Sequence, residues 1–591
     1  MSMASISEDR PDVANYPGGE ALYRLRHSAA HVLATAVTEL FPEVKVAGGP
    51  PIENGFYYDF ARDEPFTPED LEKIEVRMRE IVAADQVFEY EEASREEAQR
   101  RFAAAGEKYK LHFLSMIPAD AKVTYYKNGG FVDLCRGPHV RSTGEVKAFK
   151  LTHVAGAYWL GSERNEMLQR IYGTAFPSAQ ELEAHLQRVE EALKRDHRRL
   201  GRELDLFSIH EEVGAGLIHW HPKGGMLRHL IETFVKDENL KRGYHLVYTP
   251  HISSERLYAI SGHLDKYSEF MYAPMDIEGS PYRVKPMNCP NHIMIYKSRR
   301  RSYRELPLRL AELGTVYRFE RSGVLHGMDR VRGFTVDDAH LFCTKEQVAE
   351  EVEGMIELMN VLLQAFGFTY TAYLATRPAK SLGAEEDWTF STEALRSALE
   401  RRGIEYEMDE GGGAFYGPKI DVKLEDALGR EWQCGTIQVD MNLPKRFEIT
   451  YTGADAKEHE VVMLHRALLG SLERFVGIYI EHTGGEFPVW VAPVQVVVIP
   501  ANPKAHDYAV DTAAFLKDGG VRANVDLRDE KMGAKIRDAE LEKIPYMLVV
   551  GPREAEAGTV SPRRKGQGQL EAMSRDAFLE RVQKETRERT R

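Results

Sequence analysis

Residues 315–323, TVYRFERSG, and 326–340, HGMDRVRGFTVDDAH, read as two strands joined by a glycine-containing loop. Arg318 and Glu320 stand two apart, so on a strand both side chains point to one face. Arg330 lies beyond the loop and Phe334 on the strand that returns. A guanidinium is planar and always charged, and it grips two phosphate oxygens at once. An aromatic ring beside it can stack on a base. A surface ladder of salt bridges would satisfy the same spacing.

Outward from this stretch the pattern stays irregular between 207 and 487. Apolar strands (HLVYTPHI at 245–252, FEITYTG at 447–453) alternate with helices and glycine turns, without the strand–helix rhythm of a parallel sheet. In HRALLGSLERFVG (465–477) Gly470 is expected on a helix, where it would allow close backbone approach. Arg474 would follow one turn later on the same face. Cys289, His340 and His465 are zinc-donor types, and three protein ligands would leave a fourth position for substrate. Their separations match no short zinc pattern, so three structural residues fit the spacing equally well.

The flanks differ from the middle. Residues 1–20, with Pro11, Pro17, Gly18 and Gly19, read as a mobile tail. From Ala21 the steps between Leu25, Ala29, Val32, Ala36 and Leu40 are helical, and alternating strands near 122–132 make 21–176 an α+β domain. Pro177 and Ser178 open a connecting helix over 177–206, with one apolar stripe of Leu182, Leu186, Val189 and Leu193. From 488 to 591 strands VQVVVIP, VRANVDL and YMLVVG alternate with helices, an α/β unit with parallel strands.

Composition bounds the function. Of 591 residues, 43% are hydrophobic and 29% charged, the balance of a multidomain globular chain. The longest apolar run, 489–501, contains Pro493 and Pro500 and is too short for a bilayer. No secretory leader is visible, and the four cysteines, 135, 289, 343 and 434, suggest no disulfide framework; a reduced cytoplasmic protein is expected. A net charge of −14 argues against a wholly basic nucleic-acid coat. Local basic runs remain, KSRRRSYR at 297–304 and the cluster from Arg188 to Arg202; either fits phosphate attraction or a solvated face.

Taken together the segments resemble the threonyl-tRNA synthetases, class II aminoacyl-tRNA synthetases, over essentially everything after residue 20. GYHLVYTPHI (Gly243, Pro250), YRFE with its loop, and GSLERF stand in the order of the three class II signatures. KPMNCPNH, RVRGF with DDAH, FYGPKID and WQCGTIQVD are similar to the family's own segments. The resemblance implies an antiparallel class II catalytic domain between an amino-terminal editing domain and a carboxy-terminal anticodon-binding domain.

It also implies roles. Arg318 would hold the ATP α-phosphate, Glu320, Arg330 and Phe334 the nucleotide, and Arg474 its γ-phosphate end, with Mg²⁺ accompanying ATP. Met287, Gln433, Thr436, Gln438 and Ser471 map onto the adenylate pocket, Tyr416 and Lys419 beside it. Cys289, His340 and His465 map onto ligands of one zinc per subunit, and Asp338 onto the acid beside the threonine amino group. Valine is nearly isosteric with threonine, and a metal reading the hydroxyl could separate them by roughly 10⁴-fold. Serine lacks only a methyl, worth about 1–3 kcal/mol, so a hydrolytic second site is expected.

His31 in HSAAHVLA, with Cys135 and His139 in CRGPH, resembles that editing site. His27 and His31 superficially suggest a zincin, but that motif needs Glu directly after the first histidine and Ser28 stands there. Thr35 replaces a further family histidine, and Val336 a glutamine two residues before Asp338. Glu554 and Arg563 match anticodon-reading positions, with Arg564 and Lys565 adding phosphate attraction. The small domain that often precedes the editing domain is expected to be missing. The reading is a homodimeric threonine–tRNA ligase acting on tRNA(Thr), with no membrane partner; its rival is a catalytically inactive RNA-binding regulatory paralogue.

Overall fold

The computed structural model describes Val13 and residues 16–162 and 164–590. The expected mobile tail over 1–20 lies largely outside the described residues. The chain divides into two compact units, Met1–Glu190 and Glu191–Arg591.

In the first unit helix α1 (Gly19–Leu40) buries Leu25, Ala29, Val32 and Ala36, the face marked by their spacing. It packs on β1 (Gly55–Ala61), whose alternate residues Phe56, Tyr58 and Phe60 turn inward together. Helix α2 (Pro68–Ala83) starts at a capping box of Thr67 and Asp70, which contributes about 1 kcal/mol. There follow β2 (Glu89–Ala93), α3 (Lys108–Met116), β3 (Val123–Asn128), β4 (Phe131–Leu134), β5 (Ala148–Tyr158) and β6 (Met167–Phe176). β2, β3 and β4 form one antiparallel sheet; β1, β6 and β5 form the body of another. This is the expected α+β domain.

The expected single helix over 177–206 is two. Helix α4 (Ala179–Arg195) ends where Asp196 leaves helical geometry, and the Asp196 carboxylate caps α5 (His197–Glu203) by accepting the Arg198 N–H at 2.8 Å. No residue of α4 is buried, and Val189 and Leu193 of its stripe are exposed. In α5 Leu200, with Leu204 just beyond, joins the core of the second unit.

That unit continues through α6 (Pro222–Lys241), β7 (His245–Leu246), α7 (Cys289–Lys297), β8 (Leu308–Tyr317), β9 (Gly333–Cys343) and α8 (Val348–Phe366). After them come β10 (Thr369–Ala375), β11 (Tyr406–Asp409), β12 (Lys419–Glu425), β13 (Glu431–Asp440), β14 (Val462–Ser471) and α9 (Leu472–Thr483). The strands form one sheet in the order β7-β8-β9-β14-β13-β12-β10-β11, antiparallel except for the pairs at its two ends. Met355, Met359 and Leu363 of α8 pack with Phe475, Val476 and Ile480 of α9 in its largest core. Each such side chain stabilises the fold by about 1.5–3 kcal/mol.

Two local expectations change. Arg318 and Glu320 follow β8 rather than lie in it, because the Glu320 N–H turns back to the Arg318 carbonyl and leaves the ladder. Gly470 sits on β14, not on a helix, with φ +71°; a Cβ there would stand 2.5 Å from the Cys434 carbonyl oxygen of β13. The close approach is real, but it is strand to strand.

The carboxy-terminal part holds β15 (Val496–Pro500), α10 (His506–Asp518), β16 (Ala523–Val525), α11 (Met532–Leu541), β17 (Tyr546–Val550), β18 (Thr559–Arg564) and α12 (Arg575–Arg587). β15 pairs in parallel with both β16 and β17, as the strand–helix alternation predicts, and β18 adds antiparallel. No helix among the described residues is long and apolar enough to cross a membrane.

Candidate active and editing sites

Strand register assembles the centre of the large sheet. Leu310 on β8 lies opposite His340 on β9, His340 opposite His465 on β14, His465 opposite Gln438 on β13, and Gln438 opposite Lys419 on β12. The neighbouring row runs Glu312, Asp338, Ala467, Thr436, Asp421. Residues two apart on a strand share a face, so residues scattered from Leu310 to Ala467 come to line one surface. Asp337, just before Asp338 on β9, turns the other way and accepts the N–H groups of Leu468, Leu469 and Gly470. Complete burial pushes its carboxyl up to about 6, against the pull of Arg466 and those amides.

Cys289 at the start of α7 reaches the same place. Its sulfur and one ring nitrogen each of His340 and His465 lie within 4.8 Å of one another, all in buried residues. The outer partners fix which nitrogens face in. His465 Nε2 stands 3.0 Å from Asp440 Oδ2, so it donates and leaves Nδ1 free. His292 Nε2 donates to Glu312 at 3.1 Å; its Nδ1 then accepts from His340 Nδ1 at 2.8 Å, leaving His340 Nε2 free. Second partners of this kind orient metal-ligating histidines. Burial, with Asp338 and Asp440 nearby, raises the Cys289 thiol well above its usual range, which a cation beside the sulfur would offset. The set fits a zinc-type ion. Asp338 borders it, 3.6 Å from His340 Nε2 and accepting from Asn288 at 3.1 Å.

On the other flank, Arg318 stacks over Phe334 at 5.0 Å and donates to the Pro286 carbonyl. Glu320 pairs with Arg330 at 3.4 Å. Arg474 donates through Nε to the Asp329 carbonyl at 2.8 Å and through Nη1 to that of Gln433 at 3.4 Å. Ser471 caps α9 by accepting the Arg474 N–H. The Tyr416 hydroxyl donates to Gln438 at 2.7 Å, Thr436 donates to Asp421 at 3.0 Å, and Lys419 pairs with Asp421. Met287 Sδ lies 3.1 Å from Nε2 of His263, a buried histidine pushed down to about 4 by burial and then Arg318. Sequence reading missed His263, which carries no motif.

The first unit builds a second cluster. His27, His31, Cys135 and His139 each place one donor atom within 4.8 Å of the others. Cys135 Sγ lies 3.3 Å from His27 Nε2 and 3.3 Å from His139 Nε2, and accepts the Gly137 N–H. His27 Nδ1 donates to the Pro138 carbonyl at 3.2 Å, and Ser28 Oγ meets His139 Nδ1 at 3.0 Å. Burial, then His31, pushes His27 down to about 3; burial pushes His31 down to about 4 and the Cys135 thiol up to about 12. The cluster is therefore neutral at pH 7. Behind it Asp133 pairs with buried Lys110 and accepts from Tyr58 at 2.6 Å, with His31 Nε2 at 3.6 Å. Burial works to raise Asp133, but Lys110 and His31 outweigh it and hold the carboxyl below its usual range. His31 Nδ1 is buried without a hydrogen-bond partner. Thr35 donates to the His31 carbonyl and accepts from Asn128. His27, Lys110 and Asp133 were not among the expected residues; Asp133 lies on β4, two residues before Cys135, which follows the strand.

In the carboxy-terminal part Glu554 accepts from the Gly551 N–H and from Ser561, both at 2.9 Å, while Arg563 lies 3.9 Å from Glu540. Arg564 and Lys565, expected to attract phosphate, are paired with Glu585 and Glu486. In the basic cluster from Arg188, Lys194, Arg198 and Arg199 pair with nearby acids.

Comparison with known proteins agrees domain by domain. Residues 123–172 match the second additional domain of threonyl and alanyl tRNA synthetases. Residues 272–483 match the class II tRNA synthetase core domain (G, H, P, S and T), and 495–585 the anticodon binding domain. A threonine–tRNA ligase of Nitrosococcus oceani is 55% identical over 564 residues, 95% of this chain and 88% of that protein. One of Syntrophotalea carbinolica is 54% identical over 573 residues, 97% of this chain and 89% of that protein. The crystal structure of the RNA binding domain of threonyl-tRNA synthetase from Cryptosporidium parvum superposes with a TM-score of 0.64 at 40% identity, covering 66% of this chain and 98% of that one. Three domain matches in this order, on relatives sharing more than half their residues with it along nearly the whole chain, place it among the threonyl-tRNA synthetases.

Proposed function

We propose that this chain joins threonine to tRNA(Thr) in two steps at the large sheet and hydrolyses Ser-tRNA(Thr) in its first unit. In the first step the threonine carboxylate attacks the α-phosphorus of ATP·Mg²⁺ and pyrophosphate leaves. In the second the terminal ribose hydroxyl attacks the carbonyl of the adenylate and AMP leaves. Displacement at phosphorus asks the protein mainly for positioning and charge stabilisation. Arg318 serves the α-phosphate, Arg330 and Glu320 the nucleotide, Arg474 the far end of the triphosphate, and Phe334 stacks on the base. Gln433, Thr436, Gln438, Ser471, Tyr416, Lys419 and Met287 line the adenylate.

The observation that carries this reading is the convergence of Cys289, His340 and His465 beside Asp338 on the face that also bears Gln438 and Lys419. These three would hold zinc, one per subunit, which supplies a Lewis acid able to require a β-hydroxyl. Asp338 takes the amino group. In the first unit the neutral cluster of His27, His31, Cys135 and His139 orients the seryl ester and a water, with the unpartnered His31 Nδ1 as a contact for one of them. Glu554 and Arg563 face the anticodon. A homodimer is supported by exposed apolar side chains on α6 and after it, Met226, Leu240, Tyr248 and Ile252. The setting is the cytoplasm, where aminoacyl-tRNA is used.

Threonine-dependent ATP–pyrophosphate exchange by zinc-replete protein is the test. Exchange with threonine and none with valine is expected; no exchange rejects the catalytic claim. Nothing favours the inactive paralogue, since Arg318, Arg474 and all three metal-type donors are in place.

A further inference from the structure

His197 opens α5, outside the segment matched by the class II core, and its side chain is fully buried. Its backbone N–H donates to Glu481 Oε1 at 3.1 Å, and its Nδ1 stands 2.7 Å from the same oxygen. Its Nε2 lies 3.0 Å from the backbone nitrogen of Met328. The partners dictate the tautomer. A carboxylate only accepts, so Nδ1 carries the proton; a backbone N–H only donates, so Nε2 offers its lone pair. Glu481 is held in turn by Arg430. Burial raises the Glu481 carboxyl, but the hydrogen bonds from His197 outweigh it and leave it below its usual range. Asp196, His197 and Glu481 have donor atoms close enough for a metal. Both ring nitrogens are occupied, however, and Asp196 is taken by Arg198, so the trio is a brace.

What it braces is the tip of the loop between β8 and β9. His326 and Arg330 exchange N–H···O bonds at 3.2 Å, and Met328 sits between them, buried in the core. Three successive residues then have three successive tasks. Met328 is held by His197, the Asp329 carbonyl accepts from Arg474, and Arg330 pairs with Glu320. Gly327 keeps the slot open for the ring. A Cβ there (φ +47°) would come within 2.2 Å of His197 Nε2, whereas one on Gly477 of α9 would be tight only against Met328, at 3.3 Å, and in ordinary contact with the ring.

We propose that His197 is a positioning residue for ATP: by accepting the Met328 N–H it fixes the turn that sets Arg330 and Arg474 against the triphosphate. The inference rests on the reading of those two arginines as nucleotide contacts. It makes the segment after α4 part of the nucleotide site.

The test separates the two ends of the ring. Asn at 197 keeps a donor near Nδ1 for Glu481 but no longer reaches Met328; Gln places its carbonyl oxygen near Nε2 and retains that acceptor. In pyrophosphate exchange, His197→Asn is expected to raise KM for ATP about tenfold while KM for threonine stays within about twofold, and His197→Gln to restore most of the loss. Unchanged KM for ATP in a folded His197→Asn protein overturns the proposal. So does a loss shared equally by both substrates and both variants, the mark of a merely structural residue. Arg330→Ala and Arg474→Ala are measured alongside. If they raise KM for ATP and His197→Asn does not, this inference alone fails; if they leave it unchanged, it falls together with the reading of the arginines.

Discussion

Among the described residues lie two clusters of cysteine and histidine, His27–His31–Cys135–His139 in the first unit and Cys289–His340–His465 in the second. By residue type and compactness they are nearly the same object. Their hydrogen bonds separate them. In the second-unit cluster the outer nitrogens are taken by Asp440 and by the His292–Glu312 relay, so the remaining donor atoms stay free within 4.8 Å of one another. In the first-unit cluster Cys135, His27 and His139 bond to one another and to Pro138 and Ser28, so their hydrogen bonds close in the neutral form and His31 Nδ1 is left without a partner. Donor proximity alone does not define a metal site; where the second nitrogen points does.

The sharpest way to break this contrast is Cys289→Ala. Wild-type protein is expected to carry one zinc per chain, measured by elemental analysis after gel filtration. The variant should lose it and lose threonine-dependent exchange by at least about 10³-fold, since polar readout of a hydroxyl is worth that much or more. Cys135→Ala should retain the full metal content. Zinc retained in the first variant and lost in the second would reverse the assignment of the two clusters.

The complementary pair of effects is smaller. Cys135→Ala and His27→Ala should each slow deacylation of preformed Ser-tRNA by about 10²-fold, the scale of one positioned polar group in a hydrolytic site. Threonylation should stay within about twofold of wild type. A His27 variant with intact deacylation would show that the residue only fills space beside Cys135.

The third effect acts at the outer nitrogen. Asp440→Asn weakens the acceptor that holds His465 Nε2–H. Loss of such a partner typically costs about 10–100-fold in metal affinity. Competition with a chelating dye would read it, and an unchanged affinity would mean that the ring is oriented by packing instead.

How much of this was legible beforehand follows the same division. Cys289, His340 and His465 were readable only as members of motif strings, because their meeting depends on strand register that no spacing reveals. Leu310, His340, His465, Gln438 and Lys419 form one row across five strands. The relay through His292 and Glu312 was invisible for that reason, although His292 stands three residues after Cys289. Arg318, Glu320 and Arg330 were legible because one hairpin holds them. Gly470 was read as helical because the apolar run HRALLG suits either element, and β14 gives way to α9 only at Leu472. His27 was set aside because Ser28 excludes a zincin. That exclusion is sound, but it says nothing of a partner on the segment after β4.

The smallest effect tests the neutral state of the first-unit cluster directly. The folded pKa values of His27 and His31, about 3 and about 4, lie below the usual 6.5 because burial disfavours the imidazolium. An imidazole depressed in this way binds no proton in the folded chain at pH 5 but does so once unfolded. Its contribution is therefore intact above about pH 6.5 and lost as pH falls from there toward the folded value. Between pH 7 and pH 5 each of the two imidazoles should cost about 2 kcal/mol. Hydrogen exchange in α1 peptides, corrected for intrinsic rate, should show protection falling over that interval, and less so in His27→Asn. Protection independent of pH would mean that these imidazoles already hold a proton when folded. The pattern of donors and acceptors assigned around Cys135 would then have to be redrawn.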